Sequence, residues 1–336
     1  SGSFQGDGSR LTGISGGGAF PYTGSAEITG SLGVAGSVSF ATDVYTLGAG
    51  TWSAGGALAT PRSTLAGAGT QDAGLAFGGN GSNNVCTEEY NGATWTAGGA
   101  LSQARYQLAG VGTQTAGLAF GGSNPLNTTQ LNCTEEYNGA SWSTAGVGTL
   151  ITARFALAGT GTQTAALAFK GAIPYVAKCT EEYNGATWST APPTTKSGRD
   201  LAGVGTQTAA IAVGGTGTSC CTEEYNGTSW SAGGNLLTGR YCLAGAGTQT
   251  AGLAFGGVKS GVGVVACTEE YDGTSWSVGG ALSQARYQLA GAGTQVSSLA
   301  FGGDAYGSTE QYCRPTVTTL TKTFDYSKTT GDTTAT

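Results

Sequence analysis

The sequence predicts an all-β fold, a six-bladed β-propeller of four-stranded antiparallel blades. Three observations carry this. Leu-Ala-Gly begins at Leu65, Leu108, Leu157, Leu201, Leu243 and Leu289, a spacing of 42 to 49 residues, and a fixed period in this range marks an array of supersecondary units. Each unit holds four short apolar runs bounded by turn residues. Gly and β-branched residues interrupt every helical window. Four antiparallel strands repeated six times is the pattern of a propeller.

The second unit shows the elements in order. Its first strand is expected over Arg105 to Val111, running into a Gly-Thr-Gln turn. The second covers Ala116 to Phe120 and is closed by Gly121-Gly122. The third covers Cys133 to Tyr137, and Asn138-Gly139 then reads as a two-residue hairpin turn, since both residues tolerate positive φ. The fourth is short and carries Trp142.

The Gly-Gly doublet, the Tyr ending the third strand, the Trp in the fourth and an Arg leading into the next unit fall at Gly121, Gly122, Tyr137, Trp142 and Arg154. This pattern resembles the kelch repeat over roughly residues 41 to 313. The third unit departs from it, with Lys170-Gly171 in place of the doublet. The resemblance implies a kelch-like propeller and says little about function, because propellers host many activities. The copper oxidases that share this repeat use His ligands, and this chain has no His.

The two ends of the array are complementary. Thr42 to Tyr45 and Gly50 to Trp52 look like third and fourth strands with nothing before them. Thr309 to Tyr312 is a third strand with no Trp after it. Trp52 is therefore expected to complete the last blade, a clasp that removes open sheet edges. Seven Tyr-ending segments compete for six places, so either Asp43–Tyr45 or Glu310–Tyr312 pairs elsewhere. The propeller is placed at 41–314, a Gly/Ser-rich shaft, anchor or linker at 1–40, and a Thr-rich strand or tail at 315–336.

Periodicity assigns most of the charge to structure. Arg62, Arg105, Arg154, Arg199, Arg240 and Arg286 occur once per unit, and eleven of twelve Glu lie in Glu-Glu pairs or at Glu310. Adjacent strand residues point to opposite faces, so one Glu of each pair is expected to meet an Arg between blades, and the other an amide or solvent. Trp52, Trp95, Trp142, Trp188, Trp230 and Trp276 are expected to be packing residues. Asp72, Asp200 and Asp304 break the repeat, at strand positions that define no common site. Cys86, Cys133, Cys179, Cys221 and Cys267 all directly precede Thr-Glu-Glu-Tyr, too far apart on neighbouring blades to pair. They are expected to be buried free thiols, whereas Cys220, Cys242 and Cys313 are out of register.

With no His, a Ser-His-Asp triad, a Cys-His dyad and a His-ligated metal are excluded, and neither enzymatic activity nor a cofactor is expected. A net charge of −6 with only 10% charged residues disfavours nucleic acid. No apolar run reaches transmembrane length, so no membrane insertion is expected. The phrases Gly2-Ser-Phe-Gln-Gly-Asp-Gly8 and Pro21-Tyr-Thr-Gly-Ser-Ala-Glu-Ile-Thr-Gly-Ser-Leu32 look like the Gly-Ser-rich stretches of tailed-phage fibre proteins, cyanophage structural proteins in particular. That likeness implies a virion protein, a homo-oligomer joined to sister chains and other virion proteins through residues 1–40.

The residues that break the repeat lie in the second-to-third and fourth-to-first connections, which emerge on one face of such a meander. The opposite face carries the near-constant Gly-Thr-Gln and Asn-Gly turns. One diversified face on a rigid scaffold suits binding. The expected ligand is a host-surface glycan or protein. The expected contacts are Asn124, Asn127, Gln130, Tyr175, Lys178 and Lys259, with amides for neutral sugars, Tyr175 for stacking and the lysines for acidic glycans. Two other readings stand beside it: a capsid or tail decoration module, and a host extracellular adhesin.

Overall fold

The computed structural model describes residues 49–80, 84–125, 129–216, 220–304 and 307–315. Residues 1–40, Asp43–Tyr45 and the tail beyond Pro315 lie outside the described residues. Within them the chain forms six four-stranded antiparallel sheets. From inner to outer strand, blade I is Ala66–Gly69, Gly74–Phe77, Thr87–Tyr90 and Trp95–Ala97. Blade II is Ala109–Thr113, Ala116–Phe120, Thr134–Tyr137 and Trp142–Ser143. Blade III is Ala158–Gly161, Ala166–Phe169, Thr180–Tyr183 and Trp188–Ala191. Blade IV is Ala202–Gly205, Ala210–Val213, Thr222–Tyr225 and Trp230–Ala232. Blade V is Ala244–Thr248, Ala251–Phe255, Thr268–Tyr271 and Trp276–Gly279. Blade VI takes Ala290–Gly293, Ser297–Phe301 and Thr309–Cys313 from the end of the array, and Thr51–Gly55 from its start as outer strand.

Two details of the strands differ from the sequence reading. Arg105 lies outside its blade's first strand, which begins at Ala109. Its guanidinium is needed behind the third strand, so the residue belongs to the connection. The third-to-fourth turn has four residues, not two: Tyr137 pairs with Trp142 across Asn138 to Ser141. The Asn138 carboxamide oxygen accepts from the Ala140 and Ser141 amides at 3.0 and 2.9 Å, and only Gly139 takes positive φ. Asn serves there as an acceptor that replaces a backbone turn bond.

The inner strands of neighbouring blades pack in a closed circle from I to VI and back to I. Their Ala-Gly-x-Gly sequences allow this approach. A Cβ added at Gly110 would sit 2.3 Å from Phe77 Cζ of the preceding blade. The second strands are buried over their last four residues in every blade, as in Ala166–Phe169, which is why most of them read as apolar runs.

Each seam between blades is built from the same side chains. The Trp indole N–H of one blade donates to the third-strand Thr of the blade before: Trp142 to Thr87 at 2.9 Å and Trp188 to Thr134 at 3.0 Å. The Trp142 ring lies 4.7 Å from Phe77 of that blade and 4.9 Å from its own Tyr137. The turn Gln reaches back as well, Gln114 Nε2 donating to the carbonyls of Gly74 and Tyr90 at 3.1 and 2.6 Å. The constancy of the Gly-Thr-Gln turn thus has a seam to maintain.

The second Glu of each pair also acts across the seam. Tyr137 donates to Glu89 at 2.5 Å, Tyr183 to Glu136 at 3.0 Å and Tyr225 to Glu182 at 2.8 Å, and Tyr271 and Tyr312 do the same to Glu224 and Glu270. At the closing seam Gln311 takes the Glu position and donates to Tyr90 Oη at 3.1 Å. This largely reverses the expected assignment: the inter-blade partner of the second Glu is Tyr, the buried Arg pairs lie within blades, and one Arg pair crosses a seam, Arg314 of blade VI reaching Glu270 of blade V at 3.1 Å.

Trp52 closes the ring. It pairs with Tyr312 in the strand register, donates to Thr268 of blade V at 2.9 Å and lies 4.9 Å from the Phe255 ring. Glu310–Tyr312 is the third strand of this blade.

Two predictions follow from the seams. Removing residues 1–55 deletes the outer strand of blade VI and uncovers Tyr312 and Phe255. The thermal midpoint should fall by roughly 10 °C or more; a midpoint unchanged by the deletion would show that the clasp holds nothing. The second concerns alkaline pH. Burial, and then the Glu partners, raise Tyr137, Tyr183, Tyr225, Tyr271 and Tyr312 above their ordinary 10.0, Tyr137 and Tyr271 to about 12. A raised folded value means stability that is full below pH 10 and is lost as pH rises toward 12. Tyrosinate absorbance and circular dichroism should therefore change together in that window. Complete ionisation of all tyrosines near pH 10 with the fold intact would contradict the seam.

Candidate functional site

The first Glu of each pair fixes the connection that enters the axis. Arg62 pairs with Glu88, Arg105 with Glu135 and Arg154 with Glu181, all fully buried. Arg240 reaches Glu269 at 3.3 Å and Arg286 reaches Glu310 at 2.8 Å. The same carboxylates accept backbone amides of the incoming connection at 2.6–2.8 Å, from Ala59, Ser102, Ile151, Leu237 and Ser283.

Blade IV is built differently, and Arg199 is not the sixth member of this set. The five buried Arg stand three residues before Leu-Ala-Gly, whereas Arg199 stands two before Leu201, so Gly198 occupies the frame position. The backbone bears this out. The second Gly of each doublet donates to the carbonyl of the Arg position in the next blade: Gly79 to Arg105, Gly122 to Arg154, Gly215 to Arg240, Gly257 to Arg286 and Gly303 to Arg62. Gly171 donates to Gly198 at 2.9 Å.

Lys170 supplies the missing cation. It replaces the first Gly of the doublet in blade III, is buried, and places Nζ 2.6 Å from Glu223 of blade IV. At the equivalent Gly78 a Cβ would lie 2.9 Å from the Arg105 carbonyl and from Leu108 Cδ2. Lys170 keeps the left-handed φ of 57° that Gly takes there. Burial raises the Glu223 pKa, but the Lys170 and Thr195 hydrogen bonds outweigh it and hold the carboxyl below its usual 4.5.

Freed from the interior, Arg199 lies at the mouth of the central axis, 39% exposed, with Nε 3.3 Å from Asp200 Oδ2. The mouth itself is a ring of one residue per blade: Thr64, Gln107, Ala156, Asp200, Cys242 and Gln288. All six have left-handed φ between 52 and 56°. Their backbones form a closed cycle of hydrogen bonds, each N–H donating to the ring residue of the preceding blade at 2.7–3.0 Å. Together with the Leu residues that follow, they line a cavity of about 80 Å³. Non-Gly residues in this conformation cost roughly 1–3 kcal/mol each and persist only where the surroundings over-determine them.

One side of the mouth is polar and crowded. Burial pushes the Cys242 thiol up to about 12, with the charges of Asp200 and Asp304 adding to it and a Gln288 hydrogen bond and Arg199 opposing. The thiol is therefore neutral at ordinary pH. Burial also raises Asp200, against Arg199 and the Thr216 hydroxyl, which donates to it at 3.3 Å. Asp304 is raised by burial and opposed by the Tyr287 amide and hydroxyl. Two of the three acids that stand isolated in sequence thus bear on one thiol, Asp200 as its neighbour in the ring and Asp304 through its charge. Asp72 lies apart, beside Gly92 at the turns of the opposite face. This arrangement offers carboxylates, carboxamides and hydroxyls for hydrogen bonds to a polyhydroxylated ligand.

The long second-to-third connections stand beside this mouth. Isolated bridges join Tyr106 to Ser123, Phe155 to Ala172, Arg199 to Thr216 and Tyr241 to Val258, so each connection rises from the residue next to the ring. Two of them form small ribbons, Ala172–Ile173 with Tyr175–Val176 and Val258–Lys259 with Gly263–Val264. Tyr175 is 82% exposed, and Lys178 and Lys259 are exposed as well. In blade II the Asn124 amide donates to the Thr129 carbonyl at 2.9 Å, and Gln130 bridges to Ser123. Asn127 lies outside the described residues. These side chains belong to blades II, III and V and so form an arc around the axis, not one pocket.

The eight cysteines are free thiols, and those in register are half-buried rather than buried. The sequence singles out Arg199, Asp200 and Cys242 separately, but not the ring to which they belong. The signal was present: in a frame that barely changes, the position before Leu-Ala-Gly reads Thr, Gln, Ala, Asp, Cys and Gln. No protein-family model and no curated protein matches the chain.

The blade IV swap is testable. Lys170→Gly leaves Glu223 buried without its cation and should destabilise the fold by roughly 3 kcal/mol. Adding Gly198→Arg restores the arrangement of the other five blades and should recover most of that loss in chemical denaturation. A double variant no more stable than Lys170→Gly alone would refute the equivalence of Lys170 with the five arginines.

Proposed function

We propose that the propeller is a non-enzymatic binding module of a phage virion appendage, tail-fibre-like, which presents its axial-mouth face to host-surface glycans. The observation that carries this reading is where the variation falls. Seams and buried ion pairs occupy the constant residues, and the six ring positions and the adjoining ribbons carry the diverse ones. The kelch-like repeat supplies the scaffold, and the Gly-Ser-rich phrases before Leu32 supply the phage assignment. On this reading residues 1–40 join the propeller to sister chains and the particle, and several weak contacts add up through multivalency. No cofactor enters it.

A decoration module that contacts only other virion proteins is the second reading. The exposed apolar ribbon tip of Val262 and Val264 favours it. A glycan array separates the two. The parent protein should retain discrete glycans. A variant with the short loop Asn80–Val85 grafted into blades II, III and V should lose them at an unchanged melting temperature. Glycan retention equal to the parent's would remove the variable face from the function.

A further inference from the structure

The charges that point outward are unevenly placed. Among the described residues Lys170 is buried and the other lysines, Lys178, Lys196 and Lys259, are exposed. Lys178 and Lys259 lie in second-to-third connections of blades III and V, and Lys196 lies in the connection entering blade IV. All three therefore stand on the axial-mouth face, over three consecutive blades. Arg199, half-exposed and paired with Asp200, joins them at the start of blade IV. The exposed acids Asp72 and Asp272 lie in first-to-second and third-to-fourth turns, on the opposite face. Tyr175, on the same arc as the cations, presents an open aromatic ring.

We propose that this arc of blades III to V binds a carboxylate-bearing polysaccharide, with Lys178, Lys196, Lys259 and Arg199 as cationic contacts and Tyr175 as the stacking surface. The proposal rests on the glycan reading and sharpens it from sugars in general to acidic chains. Separate cations strung over three blades suit an extended chain with spaced charges, not a compact anion. The density of charge argues for a uronate-type polymer over nucleic acid. Duplex DNA carries one charge per ~1.7 Å, whereas the arc holds four separate cations, one of them paired with Asp200, on a protein of net charge −6. An aromatic ring beside cations fits a sugar, which offers an apolar ring face and a charged edge together.

The test uses the whole chain and three immobilised probes: polygalacturonate, dextran and duplex DNA, each at low and high ionic strength. Polygalacturonate should bind best and weaken with salt. Lys178→Ala/Lys196→Ala/Lys259→Ala should weaken it by roughly tenfold or more, and Arg199→Ala and Tyr175→Ala should each weaken it as well. These side chains are exposed or half-exposed, so melting temperatures should stay near the parent's. Dextran bound as tightly as polygalacturonate would overturn the acidic preference and leave the glycan reading standing. Equal binding of DNA, or a triple variant that binds polygalacturonate like the parent, would also overturn it. A parent that holds neither polysaccharide here, and no glycan on the array, would bring down both.

Discussion

A carboxylate buried in each blade demands a cation, and the rest of the upper face is arranged around that demand. The first Glu of each pair is desolvated, and leaving it unpartnered would cost several kcal/mol. Its partner comes from the connection entering the same blade, and the same carboxylate also takes backbone amides of that connection. The pair therefore nails the connection to the third strand. Held at that point, the chain enters the inner strand at a fixed place, and the six entry residues meet in a closed cycle of backbone hydrogen bonds. Their left-handed conformations are sustained by this closure, since no single blade would hold one.

The same demand explains the departure in blade IV. Once the frame position became Gly198, a cation had to arrive from elsewhere. The first Gly of the neighbouring doublet stands against that position, so a long side chain there reaches Glu223. Lys suits the path because its flexible stem ends in a compact charge. The positive φ it retains is a cost of roughly 1 kcal/mol or more, smaller than that of an unpaired buried carboxylate. An Arg is thereby released to the mouth, where it meets Asp200.

The repeat made the fold legible in the sequence: six units, four strands each, and Trp52 in the last blade all follow from a period and two complementary ends. The site was less legible, for reasons that can be traced. Arg199 was grouped with the other arginines by residue type, although its offset from Leu201 already set it apart. Asp200, Cys242 and Asp304 are far apart in sequence and belong to blades IV, V and VI. Only the packing of successive blades around the axis brings them together, and no local pattern encodes that. The Asn-Gly turn misled because Asn has two uses in turns. Its tolerance of positive φ suggested two residues, while its side-chain acceptor is what a four-residue turn consumes.

Composition is a poor guide to what this surface attracts. The net charge is −6, yet the first Glu of each pair and Glu310 are neutralised inside the protein by Arg or Lys, while the second Glu of each pair bonds a seam Tyr and keeps its charge. A charge consumed in a buried pair contributes little to the field that a ligand meets. Among the described residues the exposed charges are lysines over blades III to V on one face, and Asp72 and Asp272 at the turns of the other; Arg199 and Arg314 are half-exposed and paired with Asp200 and Glu270. The sign of the axial-mouth arc is therefore opposite to the sign of the whole chain. Electrostatic attraction over a Debye length of roughly 8 Å at physiological ionic strength responds to the local set and not to the total. An acidic protein of this construction can meet an acidic ligand, provided that the ligand approaches along the arc and not across the opposite face.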